Sequence, residues 1–164
     1  MVERRGGGVV NTAVSKFVFD LLERHLVSVE EEKDRIIEKY FSNPMQDKNE
    51  FEWLVNDYIK KIQTYLSEVK VVEEADHVCP FVMIGSIVEV EDLEEHELET
   101  FQIVSPLEQE EDIRPDYASY LSPIGKALLL KKAQEKVSVE TPMGTVYYQI
   151  KSIQFPETEV SASN

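Results

Sequence analysis

SPIGKALLLKKAQEKVSVETPMGTVYYQI, residues 122–150, carries two local signals that together define a helix packed on a sheet. Ser122 is a favoured helix N-cap, and Pro123 a favoured first helical residue because its missing N–H would have no intrahelical partner there. They announce a short helix over Ile124 to Leu130. From Lys136 the period changes to two: Lys136-Val-Ser-Val-Glu140 alternates, and so does Val146-Tyr-Tyr-Gln-Ile150. Thr141-Pro142-Met143-Gly144 supplies the proline and glycine of a tight turn, so the two strands form a hairpin. Ile87, Val88 and Val90 mark an earlier strand, and Phe101, Ile103 and Val104 another. The second half therefore reads as a small α+β domain with an antiparallel sheet, and the polar tail from Pro156 as frayed.

The first half follows another period. Residues 12–72 read as helix, with Phe51, Leu54, Val55, Tyr58, Ile59, Ile62, Tyr65, Leu66 and Val69 on one stripe. Phe17, Leu21, Leu22, His25 and Leu26 form a second stripe, continued by Ile36, Ile37, Tyr40 and Phe41. Ser28 and Glu31 have capping-box spacing, which predicts a bend or restart. Ser42-Asn43-Pro44 breaks the pattern, because proline disfavours helical geometry in the residue before it. Two helices joined by a short turn make an antiparallel hairpin with its tip at 42–50. Its narrow seam suits a projecting coiled-coil arm; a bundle packed on the second half fits the periodicity as well. The expected domains are 1–75, the arm, and 76–164, the α+β domain.

The chain has 164 residues and 42% hydrophobic content, enough to bury a core, with 32 acids against 17 Lys and Arg for a net charge of −15. That charge opposes coating DNA, since phosphate contacts are made mainly by Lys and Arg. No apolar run reaches the roughly 20 residues that span a bilayer, so a cytoplasmic protein with no membrane partner is expected. Residues 1–75 carry 11 bases and 15 acids, net −4; residues 76–164 carry 6 and 17, net −11. Glu89 to Asp116 holds 12 acids and one base, Arg114, and reads as a solvated acidic face. Lys126, Lys131, Lys132 and Lys136 cluster beside the capped helix. Arg35, Lys39, Lys60 and Lys61 form a modest strip on the arm, read as its solvated face.

A self-contained active site is missing. His25, His77 and His96 lack metal-ligand spacing, and His25 falls on an apolar helical face. The single cysteine, Cys79, precedes Pro80 without an activating partner, and no P-loop, GxGxxG or GxSxG occurs. One acidic constellation stands out at the tip. Asp47 and Glu50 are neighbours on one helical face, with Glu52 nearby. Such carboxylates either complement a helix N-terminus or supply one or two ligands to Mg²⁺.

Ser122-Pro-Ile-Gly-Lys-Ala-Leu, then Val137-Ser-Val-Glu-Thr-Pro-Met-Gly144, then Tyr148-Gln-Ile-Lys-Ser-Ile153, resemble the C-terminal domain of the bacterial Gre factors over roughly residues 82–154. Ile84-Gly-Ser-Ile-Val-Glu-Val90 is similar to that domain's first strand. Leu21-Leu22, Ile36-Ile37-Glu38-Lys39 and the tip sequence Asp47-Lys-Asn-Glu50 are similar to the family's arm. The resemblance implies an FKBP-like domain without prolyl isomerase activity, carrying a coiled-coil arm. It implies an accessory factor and not an enzyme: a transcription elongation factor whose partner is RNA polymerase, bound at the secondary channel. Ser122, Pro123 and Lys126 would face the polymerase rim. Asp47 and Glu50 would assist catalysis at the tip, sharing Mg²⁺ with the polymerase active site and meeting the nascent RNA 3′ end only indirectly, so that backtracked transcripts are cleaved. No cofactor would bind the free protein tightly, and free DNA would bind weakly or not at all.

Three departures accompany the resemblance. The second helix is shorter than the family's by two or three turns. Leu121 stands where an acid or Asn usually precedes Ser-Pro, and Leu130 replaces a common glycine. The short arm and the Leu before Ser-Pro are similar to Rnk-like members, which implies the alternative of a non-cleaving secondary-channel binder.

Overall fold

The computed structural model describes residues 13–42, 47–73 and 77–156. The expectations for the Asn43-Pro44 break and for the tail beyond Pro156 lie outside them. The chain divides into two compact units, one of Met1–Ile37 and Asn43–Val78, the other of Glu38–Ser42 and Cys79–Asn164.

In the first unit, α1 (Lys16–Lys39) and α2 (Lys48–Glu68) bury the central part of the two stripes read from the sequence. Val18, Leu21, Leu22, Leu26, Val29 and Ile36 are buried on α1, and Phe51, Val55, Tyr58, Ile59 and Ile62 on α2. Buried His25 meets Tyr58 across the pair, its Nε2 at 2.7 Å from the phenolic oxygen. Farther along α1, Lys33 Nζ donates to Asn56 Oδ1 at 3.2 Å.

The bend expected at Ser28 is absent. The apolar stripe runs through that position, from Leu26 to Val29, and continuous packing outweighs a local capping signal. The ends of the expected helical span also differ. β1 (Ala13–Ser15) pairs in parallel with β2 (Lys70–Val72), Val14 opposite Val71. Ser15 is buried, and its hydroxyl accepts from Val18 N–H at 3.1 Å, capping the start of α1.

The second unit is a five-stranded sheet of β3 (Ile87–Asp92), β4 (Leu98–Val104), β5 (Tyr117–Ser119), β6 (Lys136–Thr141) and β7 (Gly144–Gln154). The spatial order is β5-β4-β3-β7-β6. Three junctions are antiparallel and the edge strand β5 is parallel to β4, so the sheet is mixed where a purely antiparallel one was expected. Two short helices complete the unit, α3 (Pro106–Glu111) and α4 (Pro123–Leu128). One sheet face buries Val88, Val90, Ile103, Val137, Val139 and Ile150, and the core also takes Val82, Met83, Tyr120 and Leu128.

The strand signals fell where expected. The β6–β7 turn closes through Thr141, whose hydroxyl accepts from Met143 N–H and donates to the Gly144 carbonyl, with Gly144 at φ +120°. Leu130, just beyond α4, has φ +69°, the left-handed geometry that explains a glycine there in the resembling family. Pro156 is buried against Gly85, so packing at the sheet extends into the segment read as frayed.

α4 sits so close to β5 that a β-carbon on Gly125 would lie 2.0 Å from the Ser119 carbonyl oxygen. The obstacle is backbone and cannot swing away. Gly125→Ala is expected to cost about 3 kcal/mol or more and to lower Tm by roughly 10 °C or more in a thermal melt followed by circular dichroism. An unchanged Tm would show that α4 does not need this approach.

Candidate functional site

The tip carboxylates stand at the start of α2. Asp47 is its N-cap, with Oδ1 accepting from Asn49 N–H at 3.1 Å and from Glu50 N–H at 3.4 Å. Both Asp47 and Glu50 are exposed, and Glu52 is half-buried. The capping role read from the sequence is therefore present, and both bonds fall on one Asp47 oxygen. Among the described residues no group of three or more His, Cys, Asp or Glu is placed to hold a metal ion. Two carboxylates alone supply at most part of a shell for a hard divalent cation.

Trp53 lies less than two turns beyond Asp47 and is 69% exposed. The sequence reading passed over it, although its signal was there: Trp53 falls off the stripe of Phe51, Leu54, Val55 and Tyr58.

At the other candidate region the three residues separate by role. The Ser122 hydroxyl donates to the Ser119 carbonyl at 2.7 Å and accepts from Gly125 N–H at 3.2 Å. Ser122 is thereby committed to seating the helix. Pro123 and Lys126 are exposed on it, and Lys132 and Lys136 are exposed nearby in sequence. The acidic run is organised in part by local turns. Asp92 Oδ1 accepts from Glu94 N–H and Glu95 N–H, and Glu91 pairs with His96 at 3.2 Å and Lys151 at 3.4 Å. These partners, His96 foremost, hold the Glu91 carboxyl below its ordinary range. Burial, with Asp92 and Glu97 nearby, pushes Glu99 up.

Residues 77–155 match the protein family described as transcription elongation factor, GreA/GreB, C-terminal. This stretch, just under half of the chain, is similar to the C-terminal domain of the GreA/GreB family. The transcription elongation factor GreA of Alkaliphilus oremlandii is 39% identical over 99 residues, covering 60% of this chain and 61% of that protein. Its counterpart in Neorickettsia sennetsu is 33% identical over 104 residues, covering 63% and 64%. The chain thus spans less than two thirds of the length of these relatives. Among solved structures, the GreA/GreB factor of Nitrosomonas europaea is 18% identical with a TM-score of 0.47, covering 90% of this chain and 100% of that one. The GreA factor homolog 1 of Thermus thermophilus is 24% identical with a TM-score of 0.42, covering 89% and 100%.

His77 and Cys79 each have a partner within the chain. His77 Nδ1 lies 2.9 Å from the Ser15 hydroxyl, and its ring packs on Phe17 with centroids 4.5 Å apart. Cys79 is buried, its thiol donating to the Phe81 carbonyl at 3.1 Å, and burial pushes its pKa up to about 11 from 9.0. At pH 8 that shift lowers the thiolate fraction by roughly a hundredfold. Alkylation by iodoacetamide should accordingly be slower in the folded protein than in urea by at least that factor. Comparable rates in both would place the thiol in solvent.

Proposed function

We propose that this chain is an accessory transcription elongation factor that docks on RNA polymerase through its C-terminal domain. The observation that carries the reading is the GreA/GreB match over residues 77–155, which includes α4 with its exposed Pro123 and Lys126. Docking there needs no rearrangement of the helix, because Ser122 and Gly125 hold α4 from beneath. A cation and a rigid ring on a fixed turn form a small contact whose geometry is set before binding, which limits the ordering cost of association.

The tip supports the second half of the proposal. Asp47 and Glu50 are exposed carboxylates held on the first turn of α2, so the chain brings negative oxygens at the end of its helical pair. They would hold Mg²⁺ jointly with polymerase and RNA oxygens, and that ion when bound supplies charge stabilisation for phosphoryl transfer. The reaction is hydrolytic cleavage of a backtracked transcript in the polymerase active site, with the RNA 3′ end approached at the tip. The chain contributes ligands and position and leaves the remaining machinery to polymerase. This arrangement accounts for an acidic protein with no complete active site among its described residues. With a net charge of −15, binding to free DNA is weak or absent, and the site of action is the cytoplasm.

A second reading, a secondary-channel binder that modulates transcription without cleavage, is favoured by the length of α2. That helix has 21 residues, about 32 Å, and Leu121 precedes the Ser122 cap.

Two variants separate docking from chemistry. Pro123→Glu with Lys126→Glu alters exposed side chains only and should weaken polymerase binding at least tenfold, with the melting curve unchanged. Asp47→Asn with Glu50→Gln keeps the cap and removes the charge. It should leave polymerase affinity within about twofold while lowering stimulated cleavage at least tenfold, the pattern of groups acting in the transition state. A tip variant that loses affinity and cleavage together would contradict the assignment. So would a docking variant that still binds.

A further inference from the structure

Among the described residues β6 ends the sheet, and its outer edge is self-complementary. The geometry points to a second copy of this chain as its occupant, two β6 strands pairing antiparallel about a twofold axis at Ser138.

The direction of the backbone groups comes first. Ile150 N–H donates to the Glu135 carbonyl at 2.9 Å, just before the ladder that pairs Lys136 with Gln149 and runs to Thr141 with Gly144. Hydrogen-bonded and non-bonded pairs alternate along an antiparallel ladder. Glu135, Val137 and Val139 therefore aim their backbone groups at β7. Lys136, Ser138 and Glu140 aim theirs out of the sheet. The same three residues have exposed side chains, whereas Val137 and Val139 are buried. This row of outward N–H and C=O groups is a template for another strand.

The side chains select which strand. Folded proteins commonly blunt an edge with charge, which deters pairing when like charges meet. Here the order Lys136, Ser138, Glu140 is its own complement. An antiparallel copy in this register sets Lys136 against Glu140 of the second copy, Ser138 against Ser138, and Glu140 against Lys136. Opposite charges on directly facing residues favour the pairing. The three facing pairs are also those whose backbone groups point outward, so each can exchange both N–H···O bonds. Glu140 is already positioned, because the Thr145 hydroxyl donates to its carboxylate, with oxygen separations of 3.0 and 3.1 Å. A groove of about 440 Å³ adjoins the Lys136 end, lined by Leu93, Glu94, Lys136, Val137, Ser138 and Tyr147. In this register the second copy's turn, with Met143 98% exposed, extends past Lys136 toward residues 133–135.

Six residues per edge make a small interface, so the association is weak and reversible. The net charge of −15 on each copy opposes it at low salt. Near 0.15 M salt, where the screening length is about 8 Å, the long-range repulsion fades and facing pairs remain.

Sedimentation equilibrium of the full chain at that ionic strength, from roughly 10 µM to 1 mM, is the test. A monomer–dimer equilibrium is expected for the wild type. Lys136→Glu and Glu140→Lys should each weaken it by about tenfold or more, because each sets like charges face to face. Lys136→Glu combined with Glu140→Lys should restore it, and a mixture of the two single variants should form a heterodimer. Circular dichroism checks that each variant is folded. A wild type that stays monomeric throughout overturns the proposal, as does a dimer indifferent to both single reversals or not restored by the exchange. Capture of a different protein's extended segment on a monomeric chain would assign the edge to that partner instead and would also overturn it.

Discussion

The backbone carbonyl of Ser119 occupies the space that a β-carbon at residue 125 would need, and it also accepts from the Ser122 N–H at 2.9 Å and the Ser122 hydroxyl at 2.7 Å. That single oxygen fixes where α4 begins and how near it lies to β5. Seated this way, the helix buries Leu128 into the core and turns Pro123 and Lys126 outward. The glycine is required by contact and not by backbone conformation. The serine is required twice, as cap and as anchor. The outward surface proposed to meet polymerase thus inherits its rigidity from a hydrogen-bonded turn beneath it.

Much of this was legible in the sequence because it was local. Ser122-Pro123 announced α4, Thr141 to Gly144 announced the β6–β7 turn, and the three-and-four spacing from Phe51 to Val69 announced α2. The same serine-proline signal recurs at Ser105-Pro106, where Ser105 caps α3 by accepting from Glu108 N–H at 3.0 Å. It went unread because it lies inside an acidic run taken as solvated surface. β1 and β2 were illegible for another reason. Each has three residues, and they come from opposite ends of the helical pair, so no short window contains the pairing. The mixed sheet is similar: Tyr117–Ser119 is too short to show a period, and its parallel register with β4 is set by α3 between them. Of the candidate site, the exposed positions were legible and the commitment of the Ser122 hydroxyl was not, because a cap signal does not say what else the hydroxyl reaches.

Charge divides the labour of the molecule. The acids crowd Glu89 to Asp116, while lysines gather after Ser122. Exposed charges of this kind contribute little to stability, and the ion pairs here, such as Arg114 with Asp112 and Lys16 with Asp20, are solvent-exposed. Their physical effect is on encounter. A net charge of −15 disfavours encounter with polyanions, and its uneven distribution leaves the stretch after Ser122 less acidic than the stretch before it.

The central claim is that the chain lends its tip to another enzyme's chemistry, and an RNA-labelled, backtracked elongation complex measures this directly. Purified chain is added with Mg²⁺ at a concentration shown by co-sedimentation to occupy the polymerase. The account predicts release of short 3′ RNA fragments at a rate that rises with the chain's concentration and saturates. Full occupancy with no fragments above the polymerase's own background would contradict it.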